Sequence, residues 1–198
     1  MRERFFAWLM RLASKYHEPL VADRKRVLLG QLSGQVIEIG PGNGVNLQYL
    51  PAGVAWTGFE PNAILAAEIA VPPGGKLWAQ EFCGGEERFD GAISTLVLCS
   101  VADLDATLRQ LFASLRPGGT FIFLEHVAAA AATPQRRSQD RWQPLWSCCA
   151  GGCQPNRDIE QSIRAAGFVI EQIDRFHLNF SLASPHIAGV ARRPALLP

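Results

Sequence analysis

The sequence predicts a single doubly wound α/β domain, a mostly parallel sheet with helices on both faces. Three observations carry that expectation. From residue 35 onward, strand-like apolar runs alternate with segments of helical spacing. The strand candidates are apolar almost throughout, which suits strands buried on both faces. A glycine-rich loop follows the first strand and an acid ends the second, so a ligand is expected at the carboxyl ends of the strands. The chain of 198 residues has room for one full core and shows no second composition block, so one domain is expected over 1–198.

Each element has a local reason. Phe5, Trp8, Leu9 and Leu12 form one stripe at helical spacing, and residues 23–29 make a second helical stretch that Gly30 stops. Together residues 1–30 are expected to form a helical cap packed over the domain, with a weak membrane-surface contact as the alternative. Residues 35–39 read as a short buried strand, with a helix opening near Val45. Residues 54–59 make the second strand, 63–70 a helix, 76–80 a weak third strand and 89–98 a long apolar fourth. Leucines and Phe112 at helical spacing mark a helix over 105–115, stopped at Arg116, Pro117, Gly118 and Gly119. Residues 120–126 follow as the fifth strand. The stretch 127–155 holds an alanine run, prolines, two tryptophans and three cysteines, and its length suggests a lid over an acceptor site. A helix over 158–166 ends at Gly167, and strands at 169–176 and 187–192 close the domain as a hairpin.

Bulk composition narrows the partners. A formal net charge of +1 and a pI near 7.7 provide no basic field for a nucleic-acid backbone, although Arg136 and Arg137 are adjacent. The apolar run over residues 5–10 is cut off by Arg11 and is too short for a signal peptide or a membrane span. Five cysteines without a spaced framework point to a reducing, cytoplasmic setting. Cys148, Cys149 and Cys153 lack a companion histidine nearby in sequence, so no metal is expected.

The glycine loop is the sharpest local signal. Gly40, Gly42 and Gly44 sit where the backbone must turn tightly and approach a ligand. Their G-x-G-x-G spacing differs from the dinucleotide fingerprint, which needs glycine where Val45 stands. Glu60 ends the second strand twenty residues after Gly40, the place for an acid that accepts from both hydroxyls of a ribose. Glu38 lies inside an apolar strand and is costly unless a donor meets it: the ammonium of a bound ligand or an amide of the same loop.

In order, IEIGPGNG, FEPN, FDGAISTLVLCSV and LRPGGTFIFLEHV resemble the motifs of class I methyltransferases that use S-adenosylmethionine (SAM), over residues 35–192. More narrowly, TLVLCSV, LEHV, DRWQPLW, GGC with Arg157, AGF and PHIAG are similar to the methyltransferase-like branch that includes the animal alkyl-thiol methyltransferases and their bacterial relatives. The resemblance implies a Rossmann-like fold with a mostly parallel seven-stranded sheet and an antiparallel final strand. It implies that Gly40, Pro41, Gly42 and Gly44, with Glu38 beneath them, wrap the methionine end of SAM. Glu60 then holds the ribose, Pro61 and Asn62 flank it, and Thr95, Leu96 and Val97 line the far side. Gln80, Glu81 and Phe82 are the implied adenine contacts, in a stretch over 80–88 that is shorter than the family's. S-adenosylhomocysteine is the implied product.

Methyl transfer from a sulfonium needs mainly alignment in a dry pocket, because the donor is already activated. A thiol acceptor, with a pKa of about 8.5, requires only weak assistance, whereas a phenol near 10 requires a stronger base. Glu125 and His126 end the fifth strand and point to opposite faces. His126 is the expected base or acceptor-orienting group, with a structural strand-end histidine as the alternative, and Asp140 is a second candidate. Trp142 and Trp146 share a helix face and either roof an apolar acceptor or bury that helix. Cys99 reads as a small buried residue. The expected function is S-methylation of a small apolar thiol. An O-, N- or C-methyltransferase acting on a phenol, quinone or lipid head group, and a non-catalytic SAM-binding module, remain alternatives.

Overall fold

The computed structural model describes residues 2–85 and 88–195. Met1 of the expected cap, and Glu86 and Glu87 of the stretch 80–88, lie outside the described residues.

Seven strands form one sheet: β1 (Gln35–Ile39), β2 (Ala55–Phe59), β3 (Lys76–Trp78), β4 (Phe89–Thr95), β5 (Leu115–His126), β6 (Val169–His177) and β7 (Pro185–Arg192). Their order is β3-β2-β1-β4-β5-β7-β6. Every neighbouring pair from β3 to β5 is parallel. β7 runs antiparallel between β5 and β6, so the final strand is the one reversed member. The period-2 alternation of side chains explains the unbroken apolar runs. Val36, Ile93, Ile122 and Leu124 pack on one face with Val21, Leu28 and Leu29. Ile37, Ala92, Phe121 and Phe123 pack on the other with Leu108, Leu111, Ile159 and Ile163.

Those partners come from α1 (Arg2–Leu29) on the first face, and from α3 (Leu104–Ser114) and α5 (Ile159–Ala165) on the second. α2 (Ala63–Ala66) is a single turn, and α4 (Pro134–Cys149) occupies the centre of the 127–155 stretch. Side-chain oxygens start four of these helices: Asn62, Asp103, Thr133 and Asp158 accept from first-turn amides.

Several expectations are corrected. The two helical stretches of the cap are one helix that runs through Pro19. Its amino-terminal stripe is not buried over the domain: Phe5, Trp8 and Leu12 are 58%, 54% and 39% exposed. The turn after the glycine loop is a 3-10 helix (Val45–Tyr49) instead of an α-helix. β4 stops at Thr95, because Leu96 takes a left-handed backbone (φ 57°). β5 begins at Leu115 and absorbs the expected Arg116 to Gly119 stop, with a register shift opposite Phe89 and Gly91.

Candidate active site

The chain leaves β1 towards β2 on one side, while β4 pairs with β1 on the other. This reversal opens a crevice over the carboxyl ends of β1 and β4, where doubly wound sheets bind ligands. Gly40, Gly42 and Gly44 lie there with φ of 58°, 61° and 78°, a region that side-chain-bearing residues rarely adopt. A Cβ on Gly40 would stand 2.3 Å from Val97 Cγ2, so the loop and the end of β4 meet at the closest distance a glycine allows. A Cβ on Gly42 would meet nothing within 4 Å, so the loop's outer surface is open to a ligand. Pro41 is buried, and its carbonyl accepts from the Gly44 amide at 2.9 Å.

Two buried carboxylates sit beneath and beside this loop. Glu60 Oε2 accepts from the Gly42 amide (2.8 Å) and Oε1 from the Asn62 amide (2.9 Å). Burial pushes the Glu60 carboxyl above its ordinary value, against the pull of those two amides. Each oxygen keeps a further lone pair for a donor. Glu38 is fully buried, and its donors are not the expected loop amide. They are Asn46 Nδ2 (2.6 Å) and Trp56 Nε1 (2.8 Å), with burial again raising the carboxyl. Asn46 Nδ2 also donates to Thr95 Oγ1 (2.8 Å), while Asn46 Oδ1 is buried with no hydrogen-bond partner among the described residues. The reading of the sequence missed Asn46. Its signal was present, since Glu38 required a donor and Asn46 is a polar residue in the turn just past the glycines.

On the far side of the crevice, Thr95, Leu96 and Val97 leave β4, and the Leu96 amide donates to Leu124 O at 2.9 Å. The strained Leu96 backbone marks this turn as held in place by its surroundings. Glu125, fully buried below it, accepts from Ser94 Oγ and from the Val97 amide (3.3 Å), and burial pushes its carboxyl up to about 7. Pro61 is exposed, and Asn62 caps α2 by accepting from Ile64 and Leu65 amides. Gln80 and Glu81 are exposed, while Phe82 is half-buried with its ring edge-on to Phe59, centroids 5.3 Å apart.

The carboxyl end of β5 brings together residues that are far apart in sequence. His126 is 6% exposed, and its Nε2 lies 3.2 Å from Cys153 Sγ. Cys99, two residues beyond Val97, is buried beside Cys153; this neighbour and burial push the Cys153 thiol up. The Trp146 indole donates to Cys153 Sγ at 3.1 Å. Cys148 and Cys149 are exposed and Cys153 is buried, so the three cysteines of the 127–155 stretch do not cluster; Cys153 finds its histidine across the sheet edge instead. The second candidate, Asp140, lies on the outer side of α4. It is exposed, and Asn156 (2.9 Å) and Arg136 (3.0 Å) hold its carboxyl below its ordinary value, so it ties α4 to the following loop. Trp142 and Trp146 line a groove of about 430 Å³ with Leu145, Cys149 and Leu182, of which Trp146 is also the residue that reaches Cys153.

A sequence profile described as a methyltransferase domain matches residues 4–173. The chain belongs to the methyltransferase domain family. This methyltransferase is 31% identical to the human thiol S-methyltransferase TMT1A, over 93% of its own length and 84% of the relative's. The branch indicated by the LCSV and EHV motifs is therefore borne out. Its fold superposes on the S-adenosylmethionine dependent methyltransferase from Mesorhizobium loti with a TM-score of 0.64, at 19% identity, over 87% of this chain and 97% of that one. The family makes the chain a methyltransferase, and its fold is the one that the SAM-dependent enzyme from Mesorhizobium loti adopts. The same fold is shared with the [4+2]-cyclase SpnF (TM-score 0.70, 18% identity, 88% of this chain and 81% of that one), so the fold does not define the acceptor chemistry.

Proposed function

We propose that this methyltransferase moves the methyl group of SAM to the sulfur of a small, apolar thiol. The observation that carries the acceptor class is the apolar groove beside α4, whose inner wall, Trp146, touches Cys153 next to His126. The name of the human relative supports the same reading.

The chain's residues fit SAM. The open, left-handed loop of Gly40, Pro41, Gly42 and Gly44 accommodates the methionine end, and the unpartnered Asn46 Oδ1 is an acceptor for its ammonium. Glu38 fixes Asn46 and supplies negative charge beneath the loop. Glu60 accepts from the ribose hydroxyls between Pro61 and Asn62, Phe82 offers an apolar face for adenine with Gln80 and Glu81 at the rim, and Thr95, Leu96 and Val97 close the far side. When bound, SAM supplies an electrophilic methyl on a positively charged sulfur. The acceptor sulfur's electron pair forms the new S–CH3 bond, the old bond's pair returns to the cofactor sulfur to give S-adenosylhomocysteine, and the thiol proton leaves to solvent. His126 orients the acceptor at the end of β5, and the 127–155 stretch acts as the lid that keeps water out. The five cysteines are free, which supports a reducing, cytoplasmic setting.

Turnover of alkyl and aryl thiols, phenols and amines with SAM, read as S-adenosylhomocysteine, tests this. Thiols are expected to turn over fastest. Faster methylation of phenols or amines under the same conditions removes the thiol reading, and no turnover of any acceptor leaves a SAM-binding module.

A further inference from the structure

Three sulfur and nitrogen ligand atoms from three separate parts of the chain converge at the acceptor end of the sheet. Cys99 follows β4, His126 ends β5 and Cys153 follows α4; all are buried, and their ligand atoms lie within 4.8 Å of one another. We infer that Cys99, His126 and Cys153 form a zinc site whose fourth coordination position takes the acceptor sulfur. This deepens the thiol reading above and rests on it.

The geometry suits the ion. Tetrahedral zinc, with bonds of about 2.3 Å to sulfur and 2.0 Å to nitrogen, sets a sulfur and a nitrogen ligand roughly 3.5 Å apart. Cys153 Sγ and His126 Nε2 are 3.2 Å apart, so they need to part by only a few tenths of an ångström to admit an ion. Two thiolates and an imidazole leave a fourth position open, as in catalytic rather than structural zinc sites. The protein alone satisfies these groups poorly. His126 Nε2 has a thiol as its partner, and Cys99 Sγ meets Ser100 Oγ at 3.3 Å, Leu96 O at 3.7 Å and the neighbouring Cys153 thiol, weak bonds that ligation of a metal would replace. Around them lie groups that favour thiolate ligands. The Trp146 N–H donates to Cys153 Sγ, and the Arg157 guanidinium is anchored on the carbonyl of Leu98, the residue before Cys99, at 2.7 Å. Arg157 also offsets the extra negative charge that a third thiolate brings to the ion.

The step balances. The acceptor R–SH displaces zinc-bound water and gives its proton to solvent, leaving R–S⁻ on zinc. Its electron pair attacks the methyl carbon, the methyl–sulfonium bond breaks with its pair going to the cofactor sulfur, and the neutral thioether leaves zinc as water returns. Zinc thus holds the sulfur as thiolate at neutral pH and points it at the methyl, so no protein base is needed.

The test uses the whole protein, purified with a non-chelating reductant. Metal analysis is expected to find about one zinc per chain, falling below about a tenth in a Cys99→Ser, Cys153→Ser double variant. Cobalt exchanged into the wild-type protein should show a thiolate-to-metal charge-transfer band and tetrahedral visible bands, and hexanethiol should shift the visible bands. Removal of the metal should slow thiol methylation by at least about tenfold, with recovery on adding zinc. Metal-free wild-type protein that methylates thiols at full rate overturns the zinc site and leaves the thiol reading standing, as does a Cys99–Cys153 disulfide in active protein. Cobalt bands that ignore hexanethiol overturn the acceptor position, and if phenols are the preferred acceptors as well, the thiol reading falls with it.

Discussion

Glu38 and Glu60 are buried carboxylates in the same half-site, and they differ in what their oxygens still offer. Glu38 meets side-chain donors from Asn46 and Trp56 deep under the loop, so it serves as a fixed charge and a positioning group. Among the described residues, Glu60 meets only backbone amides, of Gly42 and Asn62, at the crevice edge. That leaves it free to accept from a ligand. Glu60→Ala is expected to weaken SAM binding by about 1.5 to 3 kcal/mol, the scale for hydrogen bonds to a charged group. Calorimetry on a variant whose circular dichroism matches the wild type decides it, and unchanged affinity removes the ribose assignment. Both acids were legible in the sequence from their places on strands. The Trp56 donor to Glu38 was not, because it comes from the neighbouring strand and its approach depends on the parallel β1–β2 register.

At the scale of elements, α4 shows how one side chain seats a long connection. Gln139 is fully buried; its Oε1 accepts from the Ala129 amide (2.8 Å), and its Nε2 reaches Val127 O (3.1 Å), Pro155 O (2.9 Å) and Leu182 O (2.9 Å). One amide thus ties both ends of the 127–155 stretch to the loop before β7. Gln139→Leu leaves these backbone groups buried without partners and is expected to cost about 2 to 4 kcal/mol. Urea unfolding measures this, and a loss below about 0.5 kcal/mol would mean that water replaces the amide. Nothing in the sequence marked Gln139, since a glutamine on a polar helix reads as solvated. The helix itself was visible in the Trp142 and Trp146 spacing.

At the scale of the molecule, α1 is joined to the sheet through a pair of neutral imidazoles. His17 Nε2 lies 3.3 Å from His186 Nε2 on β7, with the Phe180 ring tilted against it and the Lys25–Glu18 pair on the same helix. Burial, then His186 and Lys25, push His17 down to about 3, and burial pushes His186 down to about 4. Because the folded values are depressed, the unfolded chain binds more protons below about 6.5. The stabilisation is complete above that pH and is lost as pH falls towards the folded values. The wild type should therefore lose stability between pH 6.5 and about 4, and His17→Phe should flatten that fall. Equal slopes for both proteins in urea titrations at several pH values would exclude the histidine pair as the cause. The sequence by itself determined the doubly wound sheet, the crevice at Gly40 to Gly44 and the acid at Glu60, because strand periodicity, glycine spacing and strand-end position are local properties of the chain. Only the tertiary structure decided what lies at the acceptor end. Cys99, His126 and Cys153 are separated by 27 residues at each step, and no spacing rule links them. They meet because parallel pairing of β4 with β5 aligns their carboxyl ends, and because α4 returns the chain to the same edge.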